Sequence, residues 1–152
     1  MLAADLHARL ALLPALSGRV KTAAELAQVN TNKQWPQGPL AAFVLPLGLQ
    51  NLPNGQQRET GGDASAGAFT QMVDQLMGVL LFLRSSGDPT GARSLPSLDE
   101  LIWQVVGQVC GWVPAEQIGP FRLVKGELLQ AEAGVLLYQL DFAVSDQIRI
   151  LS

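Results

Sequence analysis

Residues 76–83 read Leu-Met-Gly-Val-Leu-Leu-Phe-Leu, eight positions in a row without a charge or a polar side chain. A half-exposed strand alternates apolar with polar residues, and a surface helix keeps a polar stripe. A run with neither pattern is buried on both faces. Its type is not fixed by periodicity, because Met72, Leu76, Val79, Leu80 and Leu83 also fit helical spacing. Gly78 in the middle, the short length and the turn cluster Ser85-Ser86-Gly87-Asp88-Pro89 favour a central strand. The other segments are read around it.

Before this strand, Leu2, Leu6, Leu10 and Leu13 recur at helical steps, giving an amphipathic helix over 2–13 that Pro14 stops. Val20 reads as a short extended link. Thr22-Ala-Ala-Glu25 has the form of a capping box and opens a second helix through Leu26 and Val29, ended by Asn30-Thr31-Asn32. Residues 40–47 form a second apolar run in which Pro46, having no N–H to donate, marks the end of a strand or an edge position. From 48 to 67 the composition turns to Asn, Gln, Gly, Pro and charges without a pattern. Patternless stretches of that length inside a compact domain are functional or mobile, so the expectation is a long projecting loop between the first two core strands.

After the central run comes a second polar loop over 85–96. Ser97-Leu-Asp-Glu100 reads as another capping box, followed by Leu98, Leu101, Ile102, Val105, Val106, Val109 and Cys110 at three- and four-residue steps. The opposite face of this helix (Trp103, Gln104, Gly107, Gln108) carries no charge, as expected if it lies under another element or subunit. The tail reads as an antiparallel meander: a strand over 121–130, a turn at Glu132-Ala-Gly134, a returning strand over 135–144 and a last short strand over 147–151. The predicted fold class is α+β, a mainly antiparallel sheet with two to three helices packed on one face, and the 152 residues suit one domain spanning 1–152.

The charged fraction of 15% is well below the roughly 25% usual for globular chains. Two readings stay open: a chain that spends its life packed against copies or partners, or simply an Ala- and Gly-rich sequence. The net charge of −3, with ten basic residues scattered along the chain, argues against nucleic acid as the main ligand. One cysteine excludes an intramolecular disulfide. Asp5, His7 and Arg9 interrupt what would be the apolar region of a signal peptide, and no run reaches the ~20 apolar residues of a membrane span. The expected place of synthesis is therefore a cytoplasm, with no membrane partner.

Catalytic material is scarce. His7, the only histidine, falls away from the leucine edge of the first helix and reads as a solvated surface residue. Cys110 sits in an apolar helical stripe, so it reads as core packing and not as a nucleophile. One His and one Cys cannot build a zinc or transition-metal cluster. The segment 61–67 is glycine-rich but lacks the Gly-Lys-Ser/Thr ending of a phosphate-binding loop. Trp35, Trp103 and Trp112 read as partly buried core. The expectation is no enzyme, no metal and no cofactor. Contact residues are sought instead in the two polar loops: Gln57, Arg58, Glu59 and Asp63 in the first, Arg84 and Arg93 around the second.

Several stretches, taken in order, resemble the tail terminator (tail completion) proteins of tailed bacteriophages, particularly those of Mu-like and related prophages. They are Ala-Arg-Leu-Ala-Leu-Leu-Pro-Ala-Leu-Ser-Gly-Arg-Val at 8–20, Ala-Ala-Phe-Val-Leu-Pro at 41–46 and residues 71–85. Gly-Trp-Val-Pro at 111–114, Phe-Arg-Leu-Val-Lys-Gly-Glu-Leu-Leu at 121–129 and the strand over 137–142 continue the series. The resemblance implies an α+β subunit that assembles with copies of itself as a ring, typically a hexamer, on the last ring of tail tube protein. It implies that the ring stops tube polymerisation, offers a surface to the head-completion (connector) protein, and lets DNA pass through its pore. The implied location is the head-proximal end of the virion tail, after a period in the host cytoplasm. The physical demands of that role, few surface charges and loops that order on a partner, agree with the composition. Rival readings are a small-molecule site or enzyme pocket between the helix over 98–110 and the sheet, and a monomeric adaptor or immunity-type binding protein.

Overall fold

The computed structural model describes residues 1–51, 68–84, 95–115, 117–132 and 134–151. In chain order the elements are α1 (Leu2–Ala11), a 3-10 turn (Pro14–Leu16), β1 (Val20–Thr22), α2 (Ala23–Asn32), β2 (Leu40–Asn51), β3 (Ala68–Arg84), α3 (Leu95–Val109), β4 (Arg122–Glu132) and β5 (Val135–Leu151). The strands form one sheet in the order β1-β2-β3-β5-β4. Among the described residues β1 and β2 run parallel and the other three pairs are antiparallel. The fold is α+β, as the sequence predicts.

β3 occupies the middle of the sheet, and the apolar run of 76–83 explains why. Alternate side chains of a strand point to opposite faces, and both faces here are covered. Met77, Val79 and Leu81 join Ala42, Val44, Leu140, Phe142 and Val144 beneath Leu6 and Leu10 of α1 and Leu101, Val105 and Val109 of α3. Leu80 and Phe82 join Ala41, Phe43, Val135 and Leu137 on the other face, against Leu26 and Val29 of α2 and the Trp35 ring. Two helices thus share one face, and α2 takes the other. Trp35 stacks on Phe82 with ring centroids 5.2 Å apart, and Trp112 stacks on Phe121 at 5.6 Å. Trp103 instead stays 65% exposed.

Local signals set several boundaries. The α2 capping box forms, the Glu25 N–H donating to Thr22 Oγ1 at 3.2 Å and the Thr22 N–H to Glu25 Oε2 at 3.4 Å. Lys33 closes that helix in the left-handed conformation, φ 53°. α1 and α3 clasp each other where Arg9 Nε donates to the Gln108 carbonyl at 3.0 Å and Gln108 Nε2 donates to the Arg9 carbonyl at 2.8 Å. The uncharged face of α3 is therefore only partly covered: Gln108 meets α1, while Trp103, Gln104 and Gly107 face outward.

Five expectations need correction. Val20 is not a bare link but opens β1, whose pairing with Ala42–Val44 makes the long polar segment follow the second strand and not the first. Residues 48–51 belong to β2, which continues past Pro46 through a register shift between Pro46 and Gly48. Pro46 is tolerated there because β1 reaches only to Val44, so β2 is an edge strand from Leu45 onward. The remaining segment, 52–67, lies outside the described residues, as does 85–94. α3 starts at Leu95, which puts Ser97 inside its first turn and not at its N-cap. β5 runs unbroken from 135 to 151, because β3 extends far enough to pair with all of it, from Arg84↔Val135 to Ala68↔Leu151.

Candidate assembly surfaces

Between α3 and the sheet, Leu98, Leu101, Val105 and Val109 pack against the strands. An open groove of about 470 Å3 lies elsewhere, between the start of α1 and the start of α2, lined by Met1, Ala3, His7, Ala24, Val44 and Pro46. His7 is not simply solvated: half-buried, it donates from Nε2 to the Val20 carbonyl at 2.9 Å. That bond ties α1 to β1 and leaves the groove almost wholly apolar. A ligand site needs a few convergent polar groups for orientation, and the groove supplies little beyond this one occupied imidazole.

Cys110 packs beside the core at the end of α3. Burial pushes its thiol above the ordinary value of 9.0, only partly offset by a backbone hydrogen bond at Leu123. The thiol is therefore protonated at neutral pH, the opposite of an activated nucleophile. Among the described residues no group of three or more His, Cys, Asp or Glu side chains gathers to hold a metal ion.

One polar centre escaped the sequence reading. Asp74, on β3, is completely buried. It pairs with Arg122 at the start of β4 and accepts a long hydrogen bond, 3.5 Å, from Ser145 Oγ on β5. The three residues come from three different strands, 48 and 71 positions apart in sequence. No local pattern announces such a contact. The available signal was a lone carboxylate two residues before the apolar run of 76–83, since a buried charge requires a partner. On the other face of β3, Gln75 Nε2 donates to Asp146 Oδ2 at 2.6 Å.

Of the six contact residues proposed from sequence, Gln57, Arg58, Glu59, Asp63 and Arg93 lie outside the described residues. Arg84 ends β3. Its guanidinium donates to the carbonyls of Pro36 at 2.8 Å and Gly38 at 3.4 Å and lies over the Phe82 ring, 5.4 Å from the centroid. Much of its hydrogen-bonding capacity fastens the link between α2 and β2.

The surfaces that remain are edges and an exposed ring. The sheet ends on one side in β4, which has no further strand beside it among the described residues, and Leu123, Val124, Leu128 and Leu129 are exposed along it. On the other side β2 has no strand beside it beyond Val44 among the described residues, and Leu47 and Leu49 are exposed. The far ends of β3 and β5 extend past α1 and expose Phe69 and Ile150, which pair in register. Gln71 Nε2 donates to Asn51 Oδ1 at 2.9 Å, joining β2 and β3 where the 52–67 segment begins and ends. Among the described residues no helix is long and apolar enough to cross a membrane.

The described residues thus form an α+β domain with an apolar layer on each face of one sheet and exposed apolar side chains along its edges. Comparison of the sequence with known families says which family that domain belongs to. Residues 2–151 match the phage tail terminator protein family, and the chain belongs to it. This is a structural family of the phage tail. No curated protein is similar enough to the chain to stand as a further relative.

Proposed function

We propose that this protein, a single domain over 1–152, caps the tail tube as a ring of identical subunits, six by the resemblance noted above. The ring halts tube polymerisation and presents its free face to the head-completion protein at the head-proximal end of the tail. The carrying observation is the family match over almost the whole chain. The stretch of β2 beyond Val44 and the exposed Phe69 and Ile150 end of β3 and β5 support the reading, because a ring subunit needs two different surfaces for its neighbours on either side. The net charge of −3 suits a pore through which DNA slides without binding. Gln57, Arg58, Glu59, Asp63, Arg84 and Arg93 are the proposed contacts with the tube and the head.

Electron microscopy of lysates from the parent phage lacking this gene tests the role. Overlong or ragged headless tails beside filled, tailless heads are expected. Tails of normal length already joined to heads would overturn it.

A further inference from the structure

β4 carries a two-fold pattern. Its regular stretch, between register shifts at Leu123/Lys125 and Leu128/Gln130, reads Lys125-Gly126-Glu127-Leu128. An antiparallel partner strand reverses direction, so a second copy of β4 centred on Gly126 sets Lys125 of each chain opposite Glu127 of the other. Every charge on this stretch then faces its opposite, and the exposed apolar side chains Leu123, Val124, Leu128 and Leu129 flank the charges at both ends.

Other registers lose this match. Centring on Lys125 or on Glu127 puts like charges together, and a shift of half a step sets Lys125 against Leu128. Opposite charges directly across a strand pair stabilise it and like charges destabilise it. Edge strands usually carry charges that discourage pairing, but these two complement a copy of themselves. Lys125 and Glu127 are 59% and 53% exposed, and the ion pair they make within one chain, 2.9 Å, is exchanged for pairs across the seam. Gly126 at the centre is backed by Tyr138, whose hydroxyl would stand 2.7 Å from a Cβ placed there. The glycine makes room for that ring on the face of the sheet.

We propose that the β4 edge docks a second copy of this chain, antiparallel and two-fold symmetric about Gly126, joining two five-stranded sheets into one. Such an isologous contact closes on itself. It is distinct from the head-to-tail contacts of a ring and does not depend on the tail role.

Sedimentation velocity on the full chain tests it. Wild type is expected to form dimers at micromolar concentration. K125E and E127K should each weaken dimerisation by about tenfold, the scale of losing two cross-strand charge pairs and gaining two repulsions. K125E/E127K should restore it to within about threefold of wild type. Monomeric wild type, or self-association indifferent to the charge swap, would overturn the proposal. Both charged side chains are exposed, and circular dichroism of each variant checks that the fold is kept.

Discussion

Asp74 is the one charged side chain that the fold buries completely among the described residues, and its partner Arg122 reaches it from a half-exposed position. The asymmetry decides what each substitution does. Arg122→Ala leaves a sealed carboxylate with only the long bond from Ser145, at an expected cost of about 1–3 kcal/mol. Asp74→Ala frees a guanidinium that water can reach, so its loss should be the smaller of the two. Urea denaturation of both variants checks the order. Cys110 gives a second expectation at this scale. Because burial raises its pKa, the folded state holds the thiol proton more tightly than the unfolded chain does. The resulting stability is full below pH 9.0 and declines as pH rises beyond it. Alkylation by iodoacetamide at pH 8 should accordingly be several-fold slower in the native protein than in urea, as read by mass spectrometry.

Among the elements, α3 separates positions that the sequence pattern treats alike from those it treats as odd. Leu101 faces the sheet and is buried, so Leu101→Ala should cost about 2–5 kcal/mol by opening a cavity. Trp103, on the outer face, is mostly exposed, and Trp103→Ala should change stability by no more than about 0.5 kcal/mol. Thermal denaturation of the two variants measures the contrast. The stripe of α3 and the leucine edge of α1 were legible because 3.6-residue periodicity is a local property. The central place of β3 was legible because an uninterrupted apolar run has no solvent-facing alternative. Boundaries were less so: β2 runs past Pro46 and β5 past Val144 because of the strands they pair with, not because of their own residues.

For the whole molecule, the segment 52–67 joins two strands already held together by their own ladder, from Leu40↔Leu83 to Asn51↔Val73. Loop-closure entropy changes slowly with length, so deleting residues 54–64 should leave the melting temperature within a few degrees of wild type. Under the proposed role the same deletion should abolish joining of heads to tails, scored as infectious particles from a complementation assay. A deletion that melts normally and still yields infectious phage would remove this segment from the joining surface. The contact residues placed there from sequence rest on composition alone; Arg84, the one described, turned out to hold a neighbouring link.

By itself the sequence determined the helical faces, the buried central strand, the α2 cap and the α+β class, because each follows from spacing and chemistry within a dozen residues. It also carried the resemblance that the family match bears out. Only the tertiary structure decided that α2 lies on the opposite face from α1 and α3, that β1 pairs parallel to β2, and that Asp74 meets Arg122. It also decided that the sheet ends in an open β4 edge. The physical reason is common to all four: they depend on which segments become neighbours, and that is settled by how the whole chain divides its apolar surface between two sides of one sheet.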